Sequence, residues 1–176
     1  ITGGTGALGL EVANWLVAEG AKHLVLLGRS QPSDSTQQTI AKLEQQDVKV
    51  NLLQVDISDY DALEQVIISI DSNYSLKGII HAAGVLDDGL LNSLDWERFQ
   101  RVLQPKVTGA WNLHLASKKL DLDWFVCFSS IVSAFGAAGQ SNYAAANGFM
   151  DSLISYRRHQ GLPGLSINWS IWSEVG

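Results

Sequence analysis

The sequence predicts an α/β fold: a doubly wound parallel sheet with helices on both faces. Three observations carry this. Short apolar runs of strand length alternate with longer stretches of helical periodicity along the chain. Several of those runs are almost continuously apolar, as strands covered on both faces are. The chain opens with Thr2–Gly9, TGGTGALG, the kind of glycine-rich turn that leads from a strand into a helix.

The elements follow in order. Helical periodicity runs over Leu8–Glu19, Thr36–Gln46, Asp59–Ile70, Trp96–Lys118 and Ser141–Gln160, with a break expected at Pro105. The intervening strands are Lys22–Leu27, Val48–Val55, Leu76–His81, Trp124–Phe128 and Leu165–Trp169. Such alternation builds right-handed βαβ units. Ser58 stands three residues before Asp61 and suggests a weak capping box, while Gly161 and Pro163 close the last helix. Arg157, Arg158 and His159 form its cationic last turn. No repeat or linker interrupts the pattern, so residues 1–176 are expected to be one domain. Only Ile1 precedes the glycine turn, and the chain stops soon after a strand. It therefore reads as an excerpt of a longer polypeptide, truncated at its first strand.

Composition narrows the function. With 46% hydrophobic residues the chain can bury a sizeable core. A net charge of −6 without a clustered basic face argues against nucleic acid. No uncharged apolar stretch is long enough for a membrane span, and no signal peptide is visible. Cys127, the single cysteine, lies in an apolar run and reads as a buried thiol. A soluble cytoplasmic domain without a metal site is expected.

Gly3, Gly6 and Gly9 have the spacing that frees a backbone to approach a pyrophosphate at a helix N-terminus. With the βα repeat that follows, this makes the fold Rossmann-like and the ligand a dinucleotide. Thr2, Gly3, Gly4, Thr5, Gly6, Leu8 and Gly9 are its expected phosphate-side residues. The next strand ends in Gly28-Arg29-Ser30, with no acidic residue before Asp34. Arg29 with Ser30 suits a ribose 2′-phosphate, which favours NADPH over NADH. Asp56, followed by Ile57, suits either an adenine contact or a cap on the next turn. Ala82, Ala83 and Gly84 are small enough for backbone to lie against a ribose.

Tyr143 and Asn147 stand four apart and share a helix face. Ser130 closes the strand thirteen residues upstream of Tyr143, at the carboxyl edge where such sheets bind ligands. A tyrosine hydroxyl beside a dinucleotide can protonate a carbonyl, but its ordinary pKa near 10 calls for a neighbouring cation. Asn147 supplies no charge. Here the chain resembles the ketoreductase domains of modular polyketide synthases, within the short-chain dehydrogenase/reductase superfamily. In these the Lys and Asn positions are exchanged, and the Lys follows a Pro in the preceding helix. Gln104-Pro105-Lys106-Val107-Thr108-Gly109 fits that pattern. Thr2–Gly9, His81–Leu86, Phe128–Gly136 and Ile167-Asn168-Trp169 agree with it as well.

The resemblance implies that Tyr143 donates the proton, Ser130 orients the substrate, Lys106 supplies the charge and Asn147 helps hold a water. The implied reaction is NADPH-dependent reduction of a β-ketoacyl thioester on an acyl carrier protein, beside other domains of the same synthase. The pathway is polyketide or fatty acid extension. A lid after the last strand is also implied. Leu86-Asp87-Asp88 matches a signature of D-configured products, and Phe135 stands where the opposite class carries Trp, so Asp88 and Phe135 are assigned to substrate orientation. Ser170-Ile171 departs from the family pattern after Asn-Trp. Two alternatives are a stand-alone short-chain alcohol dehydrogenase and a non-catalytic Rossmann domain of a synthase. The first is disfavoured by Asn147, the second by the completeness of the site.

Overall fold

The computed structural model describes residues 1–172. Its elements are α1 (Ala7–Ala18), β1 (His23–Gly28), α2 (Asp34–Glu44), β2 (Lys49–Gln54), α3 (Tyr60–Tyr74) and β3 (Gly78–His81). A loop and one 3₁₀ turn lead to α4 (Trp96–Leu103), a π-helical turn (Gln104–Thr108), α5 (Gly109–Ser117), β4 (Trp124–Ser130), α6 (Val132–Phe135), α7 (Ser141–His159) and β5 (Leu165–Trp169). All strand pairs are parallel. β1 pairs with β2 from His23 opposite Lys49, β3 with β4 from Gly78 opposite Trp124, and β4 with β5 from Val126 opposite Leu165.

The two groups of strands meet at Thr2. It bridges Leu27 of β1 on one side and His81 of β3 on the other. Thr2 N donates to Ile80 O at 2.9 Å, and Ala82 N donates to Thr2 O at 3.1 Å. The central position is thus held by Thr2, which the sequence pattern placed in the glycine turn. From it the chain winds one way through β1 and β2, then crosses back to β3, β4 and β5. Each face buries its own core. Leu63, Ile67, Leu113, Phe125 and Met150 pack on one side, and Ala13, Leu16, Val17, Ile40 and Leu43 on the other.

Two local expectations are corrected. Asp59, not Ser58, caps α3, accepting from Ala62 N at 3.1 Å. Ser58 instead donates its N–H and hydroxyl to Asp56 Oδ1 at 2.9 and 2.7 Å, an Asx turn at the end of β2. The long helix does not break at Pro105. Proline lacks the N–H that would continue the i→i−4 ladder. Gly109 N reaches back five residues to Gln104 O, and the helix continues through one wide turn. Arg157 belongs to the cationic last turn as expected, and it is buried there as well. It is 0% exposed, stacks 3.9 Å from the Phe125 ring centroid and donates to Pro163 O at 2.9 Å. Among the described residues, no helix is long and apolar enough to cross a membrane.

Candidate active site

A cleft of about 250 Å³ opens at the carboxyl edge of the sheet, where the winding reverses. Its walls come from Gly3, Thr5 and Gly6 of the glycine turn and from Gly28, Arg29 and Ser30 after β1. Val55–Ile57 after β2, Ala82–Gly84 after β3, Gln104 and Pro105 complete it. Gly3 adopts φ +66, and a Cβ there would stand 2.8 Å from the Ala83 backbone, so the turn closes against β3 only without a side chain. Thr2, Gly4, Leu8 and Gly9 do not line the cleft. Thr2 hydrogen-bonds the His81 imidazole at 2.7 Å, and Gly9 packs so tightly that a Cβ would lie 2.2 Å from Gly3 O. Gln54 donates to Arg29 O at 2.8 Å and holds the Arg29 backbone at the rim. The glycine-walled end fits the pyrophosphate of an extended dinucleotide.

Beside the cleft, the π-helical turn directs Lys106 inward. The side chain is 5% exposed and runs across Gly84, where a Cβ would come within 2.8 Å of Lys106 Cε. Its Nζ donates to Phe128 O and to Asn147 Oδ1, both at 3.0 Å, and lies 5.2 Å from the Tyr143 ring centroid. Burial lowers the Lys106 pKa to about 8. His81 is fully buried as well. Burial, and then the Lys106 charge, press its pKa down to about 3, so the imidazole is neutral. Asn147, 0% exposed, donates from Nδ2 to Tyr143 O at 2.8 Å and thus ties Lys106 to the tyrosine's own turn of α7.

Burial, rather than the neighbouring cation, dominates the state of the tyrosine. Burial raises the Tyr143 hydroxyl above its ordinary value, more than the Asn147 and Ser130 side chains lower it. Lys106 is turned to two neutral acceptors behind the ring. Tyr143 therefore holds its proton throughout the neutral range.

Ser130 ends β4, buried, and its hydroxyl accepts from Val132 N at 3.2 Å. Behind it lies a carboxylate that sequence reasoning missed. Asp151 accepts from Ser133 Oγ at 2.6 Å, from Asn168 Nδ2 at 3.1 Å and from the Ser166 hydroxyl. Asn168 also donates to Ser130 O at 3.2 Å. Although burial opposes it, these hydrogen bonds hold the Asp151 carboxyl below its usual range. The signal lay in the sequence, since Asp151 is the one acidic residue of α7 and stands two turns beyond Tyr143. Asp88 reaches the site's margin, bonded by Gln140 Nε2 at 2.8 Å. Phe135, 87% exposed on α6, makes no packed wall in the described structure.

Fold and cluster together define a dinucleotide-binding domain of the short-chain dehydrogenase/reductase class. Residues 1–174 match the model of the KR domain family. The chain is 41% identical, over its whole length, to a phenolphthiocerol/phthiocerol polyketide synthase of Mycobacterium tuberculosis, and spans 8% of that protein. It is 45% identical to polyketide synthase GfsA of Streptomyces halstedii, again over its whole length, and spans 2% of it. Among solved structures, a ketoreductase domain from the bacillaene assembly line superposes with a TM-score of 0.95 at 39% identity. That match covers 99% of this chain and 44% of the solved one. An A-type ketoreductase from a modular polyketide synthase gives the same score and identity, over 99% and 37%. The chain belongs to the KR family, the ketoreductase domains of polyketide synthases.

Proposed function

We propose that this domain reduces a β-ketoacyl thioester, presented on an acyl carrier protein, to the β-hydroxyacyl thioester with NADPH, within a larger synthase. The observation that carries the reading is the Lys106–Asn147–Tyr143 chain beside the glycine-walled cleft. Gly3, Thr5, Gly6 and Ala82–Gly84 would hold the pyrophosphate and ribose side of the cofactor, Arg29 and Ser30 its 2′-phosphate, and Asp56 with Ile57 its adenine. Bound there, the nicotinamide supplies the hydride equivalent. Ser130 donates a hydrogen bond to the ketone oxygen, which favours the charge developing on it. Tyr143, fully protonated, gives that oxygen its proton. Lys106 then stands behind a tyrosinate rather than a phenol, and its charge is worth most at that moment. Asn147 fixes the ammonium against the tyrosine's turn. The Leu86-Asp87-Asp88 signature supports a D-configured hydroxyl.

The test is turnover of the full-length protein on a β-ketoacyl thioester, followed by loss of NADPH absorbance, with chiral chromatography of the product. Stoichiometric conversion to a mainly D-configured alcohol is expected. No NADPH oxidation on any β-ketoacyl thioester overturns the reading, and a mainly L-configured product overturns its stereochemical part.

A further inference from the structure

Residues 82–90 follow β3 without any regular structure, yet they form the margin of the site. What fixes them is a side chain from another element. Arg98, on the first turn of α4, donates from Nε to Asp87 Oδ1 at 2.7 Å, and its Nη2 lies 2.5 Å from the same oxygen. Nη2 also donates to Asp88 O at 2.7 Å and Nη1 to Ser93 O at 3.0 Å. Arg101, one turn on, pairs with the other Asp87 oxygen. Gly89 lies so close beneath the guanidinium that a Cβ would come within 2.8 Å of Nη1.

The opposite side of the same loop is bonded to the start of α7. Asn142 Nδ2 donates to Asp87 O, Gln140 Nε2 to Asp88 Oδ2, and Gly89 N to Gly139 O, each at 2.8 Å. Asn142 is 0% exposed, and its Oδ1 accepts from Tyr143 N at 2.8 Å. An unbroken hydrogen-bonded path therefore joins Arg98, through the Asp87 loop and Asn142, to the backbone of Tyr143. The Asp87 and Asp88 carboxylates have different partners along it. Asp87, with an 11% exposed side chain, faces away to α4, whereas Asp88 faces the tyrosine's helix and its charge raises the Tyr143 hydroxyl.

We propose that Arg98 is a positioning residue of the reductase. It clamps residues 87–89 against the start of α7, and so sets how the keto group lies against Tyr143. This rests on the ketoreductase reading above. The role requires arginine, because one planar fork serves a carboxylate and two backbone carbonyls at once, which a single ammonium does not reproduce.

The test compares wild type, Arg98→Ala, Arg98→Lys and Asp87→Asn in the full-length protein. Each is assayed with NADPH and a β-ketoacyl thioester, with chiral analysis of the product and NADPH binding followed by fluorescence. In Arg98→Ala, kcat/KM for the thioester falls about 10- to 100-fold, the loss expected for a misplacement of the order of an ångström. The minor enantiomer's share rises severalfold, and NADPH affinity is unchanged. Arg98→Lys recovers little of this. Asp87→Asn, similar in shape, shifts the same readouts in the same direction and carries the comparison if Arg98→Ala does not accumulate folded. Wild-type kcat/KM and enantiomer ratio in the variants overturn the proposal alone. So does a loss of rate that merely tracks lost NADPH binding at an unchanged enantiomer ratio. A wild type inert on every β-ketoacyl thioester overturns the ketoreductase reading first, before any variant is compared, and this proposal with it.

Discussion

Buried with two neutral acceptors and, among the described residues, no carboxylate within ion-pair distance, Lys106 carries a charge that folding must desolvate. Its fall from 10.5 to about 8 corresponds to about 3 kcal/mol against the fold at neutral pH. Lys106→Met should relieve that cost and lose about 2 kcal/mol through the freed Phe128 and Asn147 oxygens. The expected variant is inactive yet melts higher at pH 7, measured by thermal unfolding. The sign fixes the pH window. Below about 8 the folded lysine is charged and the cost is present in full. Between about 8 and 10.5 the unfolded chain binds the extra proton, so wild-type stability rises and the difference between the two proteins shrinks. The same titration should appear in the rate, with kcat falling as pH rises through about 8. Tyr143 gives a separate test. On the proposed mechanism Tyr143→Phe removes the proton to be transferred and little else, so reduction should fall about 100-fold or more. NADPH titration by fluorescence should give an unchanged affinity.

Helix and strand identities were legible because each run kept one period over enough residues, and the cleft followed from glycines at a strand-to-helix turn. What the sequence did not yield were features decided by geometry between elements. Pro105 is the clearest. A missing N–H predicts a kink and a widened turn equally well, and the wide turn is the one that seats Gly109 against Ile57, where an added Cβ would lie 2.6 Å from Ile57 Cδ1. The partners of Asp151 and Arg157 were likewise illegible, because Ser166, Asn168 and Pro163 come from the segment after α7. The π-helical turn adds one residue to the helix ahead of α5, and so decides which way Lys106 points. Pro105→Ala restores the donor and permits the ordinary ladder. The protein should then remain folded by circular dichroism while kcat falls about 10-fold or more, as a displaced Lys106 no longer meets Asn147. Rates equal to wild type with Pro105→Ala would show that the turn is held by packing alone.

At the scale of the whole molecule, the two groups of strands are joined through Thr2, and the glycine turn begins at the next residue. The joint therefore lies directly behind the cleft. Its interior is polar. Thr2, 2% exposed, is hydrogen-bonded at 2.7 Å to His81, which is 0% exposed. The neutral imidazole fits this site; an imidazolium would sit desolvated near the Lys106 charge. This arrangement makes the fold sensitive to acid in a calculable way. The folded pKa of His81 is lowered from 6.5 to about 3, so between those values the unfolded chain binds one proton more than the folded one. Stability attributable to His81 is complete above about 6.5 and is lost as pH falls toward about 3, with a slope approaching about 1.4 kcal/mol per pH unit. His81→Gln keeps a polar partner for Thr2 and removes the titration. Urea midpoints taken from pH 7 down to pH 4 should decline less steeply in the variant, by about one proton's worth of slope. Parallel declines in the two proteins would mean that His81 is charged in the fold, and that the centre of the sheet is wetter than its burial indicates.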